Sequence, residues 1–477
     1  MDAAAGPAAR AARVALAALL TVAACTSGGG DEDGPAGSAA TTIAPAPPGT
    51  AAGGLRWTDR GDGIETATLT VPLDHDEPDG GTVELFLARH PARDPERRIG
   101  TLLVNPGGPG VGGSEMVMLA QQAFGDPLLE RFDIVGWDPR GTGRSTPAID
   151  CIDDLDAHAT APEPLGPACV ERSGDWLADM GTNASARDID AIRRALGEDT
   201  ISYLGFSYGS ELGATWATMF PDTVRAAVLD GAADPTADLA TRLLQRAAGF
   251  EAALDRYLDA AGPDAAAELD ALLARLDEAP IPSRPGRPRI DRRIAAQAIA
   301  QAMYHEGLWD QLTEALAAAR RGDGSGLLML WDSYLLRRPD GTWPNTVEAG
   351  QVITCMDHAE RYDAATADQV DARIAAAARR MAAGLHGADM CRGLPVPDAP
   401  RIEVTGAGAG PIVVVGTTGD PATPLASTRA MADALEDGHL VVVTANQHTG
   451  YGANACIEDV VHRYLVDLTI PPEHTTC

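Results

Sequence analysis

The spacing of apolar positions divides the chain into three regimes. In the first, Thr66–Val71 and Val83–Arg89 alternate or run apolar with β-branched residues, predicting two strands joined by the Pro78-Asp79-Gly80-Gly81 turn. Thr101–Val104 and Phe132–Trp137 are short apolar runs, the form of strands buried on both faces. Arg187–Leu196 has helical spacing with Asn183 as its candidate cap, and Ile201–Leu204 follows as a strand. A helical pattern over Glu211–Phe220 and a strand at Arg225–Asp230 complete this region. Strands separated by helix-length segments predict a parallel sheet covered on both faces.

The second regime, from Ala232 to Leu394, has almost no strand signal. Helical spacing dominates at Leu239–Ala261, Ala265–Leu276, Ile294–Tyr304, Gln311–Arg321, Val347–Ala359 and Ala367–Ala383. In the third, strand pattern resumes at Pro411–Gly416 and His439–Thr444, around a helix at Leu425–Leu435. The expected fold is therefore α/β, a mostly parallel eight-stranded sheet interrupted after its sixth strand by a helical block, the placement of a lid.

Composition sharpens this. Across 477 residues, 45% apolar and 22% charged content is that of a globular chain with a large core. A net charge of −31, with all 37 basic residues arginine, leaves no basic face for nucleic acid. Residues 1–24 carry Arg10, Arg13 and then the apolar run Val14–Ala24, too short to span a bilayer and shaped like a secretory signal. Val22-Ala23-Ala24-Cys25 resembles a lipobox, which would lipidate Cys25, and residues 25–54 read as a Gly, Ser, Thr and Pro-rich tether. Folded sequence is expected as a first core segment (55–231), the helical lid (232–394) and a second core segment (395–477). The expected location is outside the cell, on the membrane surface through the lipid or secreted, and a lipid anchor would be the chain's one attachment to a membrane.

Cysteine parity agrees with export. With Cys25 assigned to lipid, six remain, Cys151, Cys169, Cys355, Cys391, Cys456 and Cys477, and these allow fifteen pairings. Sequence proximity favours Cys151–Cys169, Cys355–Cys391 and Cys456–Cys477. No C-x-x-C or Cys/His cluster marks a metal site, and no cofactor is expected.

The candidate chemistry centres on Gly205-Phe206-Ser207-Tyr208-Gly209, a G-x-S-x-G sequence lying between a strand and a helix. That context fits a nucleophile elbow, in which the glycines admit the sharp turn that presents Ser207. A serine before an apolar run also caps helices, so Ser207 needs partners. An alcohol becomes a good nucleophile when a histidine takes its proton and a carboxylate orients that histidine. Asp420 follows the strand Ile412–Val415 and His448 follows Leu440–Val443, which places hydroxyl, acid and base on three loops at one sheet edge in the order this architecture requires. His75, His90, His305, His358 and His439 do not follow the last strand. The developing oxyanion needs donors, for which the candidates are the N–H of Tyr208 and, from Pro106-Gly107-Gly108-Pro109-Gly110, that of Gly108. A phosphate loop is the competing reading of that glycine-rich segment, but it lacks a G-K-[ST] ending.

Together with Trp137-Asp138-Pro139-Arg140-Gly141-Thr142-Gly143-Arg144-Ser145, Gly419-Asp420-Pro421-Ala422-Thr423-Pro424 and His448-Thr449-Gly450-Tyr451-Gly452, these motifs resemble the exported tripeptidyl aminopeptidases of actinobacteria. Those belong with the prolyl aminopeptidases among α/β-hydrolase serine peptidases. Pro106 stands where the prolyl enzymes have histidine, which moves the match towards the tripeptidyl branch. The resemblance implies an α/β-hydrolase fold and an exopeptidase whose partner is a peptide with a free N-terminus. Such an enzyme must hold an α-ammonium, for which the lid offers Asp357, Glu306, Glu348 and Glu360 as candidates. A carboxylesterase using the same three residues and a catalytically inactive surface-binding protein are the alternatives.

Overall fold

The computed structural model describes residues 54–477 except Asp398, so the signal segment, Cys25 and nearly all of the tether lie outside the described residues. Its strands are β1 (Thr58–Asp59), β2 (Glu65–Pro72), β3 (Thr82–His90), β4 (Gly100–Asn105), β5 (Phe132–Trp137), β6 (Ile201–Phe206), β7 (Val224–Asp230), β8 (Ile412–Thr417) and β9 (Gly438–Val443). They form one sheet in the order β1-β2-β3-β5-β4-β6-β7-β8-β9. The β1–β2, β2–β3 and β3–β5 pairings are antiparallel and all the others parallel. The strand beyond the expected eight is β1, whose two residues pair with Glu65 and Thr66 and are too few for any periodicity.

β4, β6 and β8 are buried at every position, which explains their mostly apolar sequence. Alternate residues serve two cores. Leu103, Tyr203, Leu229 and Val414 pack with the helical block, while Leu102, Leu204, Val228 and Val415 pack with Ile457 and Val461 of the C-terminal helix Ala455–Asp467. Truncating one of these leucines to alanine costs about 2–5 kcal/mol through lost transfer energy and the cavity left behind.

Between β7 and β8 the main helices are Leu239–Ala261, Ala265–Glu278, Arg292–Met303, Trp309–Arg320, Ser325–Tyr334, Thr346–Asp357 and Ala364–Ala377. Ser325–Tyr334 was not visible as a pattern because its run Leu327–Trp331 is uniformly apolar and its start is broken by Gly324 and Gly326. Asn183 is not the expected cap. The helix begins at Thr182 after Gly181, and the Asn183 amide instead donates to the Pro400 carbonyl (3.0 Å) and accepts from the Ile402 N–H (3.1 Å).

The three disulfides are Cys151–Cys169, Cys355–Cys391 and Cys456–Cys477. They fit an exported protein. Among the described residues no helix is long and apolar enough to cross a membrane.

Candidate active site

Every parallel strand that matters for the chemistry ends at the same edge of the sheet. Ser207 sits at the turn between β6 and the helix Tyr208–Met219, with φ 54° and ψ −123°, a conformation costing a non-glycine residue about 1–3 kcal/mol. The surroundings hold it there. Its N–H donates to the Asp230 carbonyl (2.8 Å), and its own carbonyl accepts from the Ser210 N–H (2.8 Å) and hydroxyl (2.5 Å). A Cβ on Gly205 would lie 2.3 Å from the Gly209 carbonyl oxygen, and one on Gly209 would lie 2.8 Å from the Asn105 carbonyl oxygen. The turn is thus closed against backbone on both sides, and glycine is required at both places.

Asp420 lies on the loop after β8, buried, and His448 on the loop after β9. The His448 Nδ1 is 2.9 Å from each Asp420 carboxylate oxygen. The carboxylate also accepts from the N–H groups of Ala422 (2.9 Å), Thr423 (2.8 Å) and Thr449 (3.2 Å), which fixes it before it meets the imidazole. Because a carboxylate only accepts, the proton of a neutral His448 resides on Nδ1 and the lone pair on Nε2. Tyr304 backs the ring. Its carbonyl accepts from the His448 N–H (2.9 Å), and the two rings meet edge to face at 5.4 Å.

The loop carrying His448 is tied down by a second carboxylate, Asp230, at the end of β7. Its oxygens accept from the Gly450 N–H (2.6 Å) and the Tyr451 N–H (2.7 Å), just past Thr449 at φ 67°. Burial outweighs these two bonds and pushes the Asp230 pKa up to about 6.

Ser207 and His448 line one cavity of about 410 Å³, within the range of roughly 300–1,000 Å³ typical of small-molecule sites. The Ser207 hydroxyl and His448 are not hydrogen-bonded to each other. Ser207 and Gly108 also border a smaller cavity of about 40 Å³, shared with Tyr208. The glycine-rich loop after β4 packs against the elbow so closely that a Cβ on Gly107, at φ 98°, would lie 2.4 Å from the Phe206 carbonyl oxygen. Neither the Gly108 N–H nor the Tyr208 N–H donates to another described residue.

A family model described as the alpha/beta hydrolase fold matches residues 100–453. The chain is 36% identical over 451 residues to "Serine protease Hip1" of Mycobacterium tuberculosis, covering 86% of each chain. It is 35% identical over 450 residues to "Carboxylesterase B" of the same organism, again covering 86% of each. It is also 28% identical over 453 residues to "Tripeptidyl aminopeptidase" of Streptomyces coelicolor, covering 87% of this chain and 83% of that one. The chain belongs to the α/β-hydrolase family.

Within this hydrolase, none of the four lid acids expected to meet an α-ammonium lies on the wall of either cavity. Glu306 accepts from the Asn446 side chain (3.0 Å). Glu348 accepts from the Cys151 N–H (3.3 Å) in a buried site that pushes its pKa up to about 8. Asp357 accepts from the Thr182 N–H (2.7 Å) and hydroxyl (2.6 Å), and burial raises its pKa to about 6. Glu360 accepts from the Leu239 N–H (3.1 Å). Each carboxylate is occupied with backbone or side-chain donors, which sequence position alone does not reveal. Among the described residues, the large cavity's wall carries one carboxylate, Glu458, on the C-terminal helix.

Several hydrolase residues escaped the sequence reading. Asp230 had a signal in hindsight, an acid ending the strand that follows the elbow. Arg242 and Arg246 lie one turn apart on the helix Leu239–Ala261 and both face the cavity. Arg242 forms two bonds to buried Glu211 (2.5 and 2.7 Å), which also pairs with Arg401. Burial alone would raise the Glu211 pKa, but the two guanidinium groups prevail and hold it at about 2. This pairing ties the elbow helix to the helical block.

Proposed function

We propose that the protein is a serine exopeptidase that removes short peptides, tripeptides by resemblance, from free N-termini through an acyl-enzyme on Ser207. The observation that carries the chemistry is the His448–Asp420 contact, with Nδ1 at 2.9 Å from both oxygens, on the wall of the cavity that Ser207 also lines. The His448 Nε2 takes the Ser207 proton as its oxygen bonds to the peptide carbonyl carbon. The N–H groups of Gly108 and Tyr208 receive the negative oxygen. Collapse breaks the C–N bond, and the leaving amine takes the proton from His448. Water, deprotonated by His448, then cleaves the acyl-enzyme and restores the Ser207 hydroxyl.

In this reading the helical block acts as a lid, and Glu458 is the carboxylate its cavity offers to the substrate's α-ammonium. The mature protein is exported and held at the membrane surface by a lipid on Cys25. The name of the relative at 35% identity favours a second reading, a carboxylesterase using the same residues.

Matched substrates separate these readings. Tripeptide p-nitroanilides with free and acetylated N-termini, and a p-nitrophenyl acyl ester, are assayed with wild type and Glu458→Gln. The exopeptidase reading expects release from the free peptide, at least about tenfold less from the acetylated one, and a raised KM in the variant. Ester turnover without peptide turnover overturns it in favour of the esterase.

A further inference from the structure

The wall around Ser207 carries a guanidinium that the proposed chemistry does not use. Arg246 borders both cavities, and among the described residues no carboxylate forms an ion pair with it. This is unusual in a chain with 68 acidic against 37 basic residues. Arg140 and Arg242 are matched to Asp188 and Glu211, and Arg380 to Asp270. Arg225 and Arg361 end on backbone carbonyls instead. Arg246 differs from both groups, since its partners are the phenol hydroxyls of Tyr304 (3.2 Å) and Tyr334, with the Phe250 ring 5.1 Å from its central carbon.

Those contacts hold the guanidinium in place without neutralising it. An arginine stays protonated at any physiological pH and has five N–H donors in a planar fork, so most of that fork is left to the cavity. The neighbouring groups add no compensating charge. His386 is kept neutral near pH 7, its pKa lowered to about 4 by burial and then by Arg246 itself. Asp234, on the small cavity's wall, is occupied by Thr236 and by Gln245 (2.8 Å). A positive charge in a partly dehydrated cavity attracts an anion far more strongly than the same charge in open solvent.

We propose that Arg246 is an anion subsite beside Ser207 that binds a carboxylate of the substrate, so that the enzyme prefers acidic peptides. Two positions could supply that carboxylate, an Asp or Glu side chain or a free C-terminus, and the planar fork suits either bidentately. The subsite deepens the serine-peptidase reading and rests on it.

The test compares kcat/KM for isosteric pairs. Tripeptide p-nitroanilides carry Glu or Gln at each position in turn, and tetrapeptides carry a C-terminal acid or amide, with cleavage followed by chromatography. In wild type one arm is expected to favour the acid by about ten- to a hundredfold, and that arm identifies the source. In Arg246→Gln the acid-to-amide ratio falls to near or below one, while Arg246→Lys keeps part of it. Being internal, the ratio survives a general loss of activity, and should Arg246→Gln not fold, Arg246→Met carries the same comparison. Equal turnover of acid and amide by wild type in every arm overturns the subsite, as does a preference unchanged in the variants. If no peptide is cleaved, the p-nitrophenyl esters of adipic acid and its monoamide repeat the comparison. Acid preference there retains the subsite while the peptidase reading falls.

Discussion

Replacing Asp420 with asparagine should leave a folded protein with its base in the wrong tautomer. The carboxylate now accepts from the Ala422 and Thr423 N–H groups on one oxygen, from Thr449 on the other, and from His448 Nδ1 on both. Asparagine keeps one acceptor, which the two N–H groups of Ala422 and Thr423 will claim, turning its NH₂ towards His448 and Thr449. Imidazole answers by moving its proton to Nε2, where it can no longer receive the Ser207 proton. General-base help of this kind is worth about 10²–10⁴ in rate, so kcat/KM should fall by roughly 10²–10⁴, or about 3–5 kcal/mol of transition-state stabilisation. The displaced Thr449 N–H costs about 1–3 kcal/mol of stability. Steady-state kinetics on a peptide p-nitroanilide, with a thermal melt on the same preparation, reads both. Activity within tenfold of wild type in a folded Asp420→Asn protein would refute the role assigned to Asp420.

Four further outcomes follow from the packing. Glu348 has a folded pKa of about 8 against 4.5 for a free side chain. The native state therefore holds its proton more tightly, and the stability this gives is complete below pH 4.5 and lost as the pH rises to 8. Glu348→Gln should remove that slope, so urea unfolding at pH 5 and pH 9 should show the wild type losing roughly 3–5 kcal/mol relative to the variant between the two. Equal slopes would contradict this.

Glu211→Ala leaves Arg242 and Arg401 without their buried partner and should cost about 3–5 kcal/mol in denaturant unfolding, whereas an exposed acid such as Asp76 should cost under about 1 kcal/mol. Gly205→Ala drives a Cβ to 2.3 Å from the Gly209 carbonyl oxygen, and reactivity of Ser207 towards a fluorophosphonate should disappear. Replacing Cys355 and Cys391 with serine reopens a loop of sequence separation 36 and should lower stability by about 4 kcal/mol on the chain-entropy account, read from urea midpoints.

How much of this was legible in the sequence depended on how local the signal was. The eight longer strands announced themselves through apolar or alternating runs, as in β4, β6 and β8, which are buried throughout and mostly apolar, whereas β1 is held by pairing alone. The Ser207 turn was legible because both of its glycines answer to steric contacts within one motif and its neighbouring loop. The destinations of the lid acids were not, since Asp357 meets Thr182 across 175 residues and Glu348 meets Cys151 across 197. Asp230 and Arg246 escaped for the same reason. What makes them chemically notable is the tertiary surroundings, two N–H groups from a distant loop in one case and the want of a carboxylate in the other.

The claim on which the rest depends is that Ser207 is the nucleophile and that His448 activates it. Intact-mass spectrometry after treatment with a fluorophosphonate, with peptide mapping of the product, tests it directly. One adduct per chain on Ser207, absent in Ser207→Ala and at least about a hundredfold slower to form in His448→Ala, is the expected result. An adduct on any other residue, or no adduct in a folded wild-type protein, would contradict it.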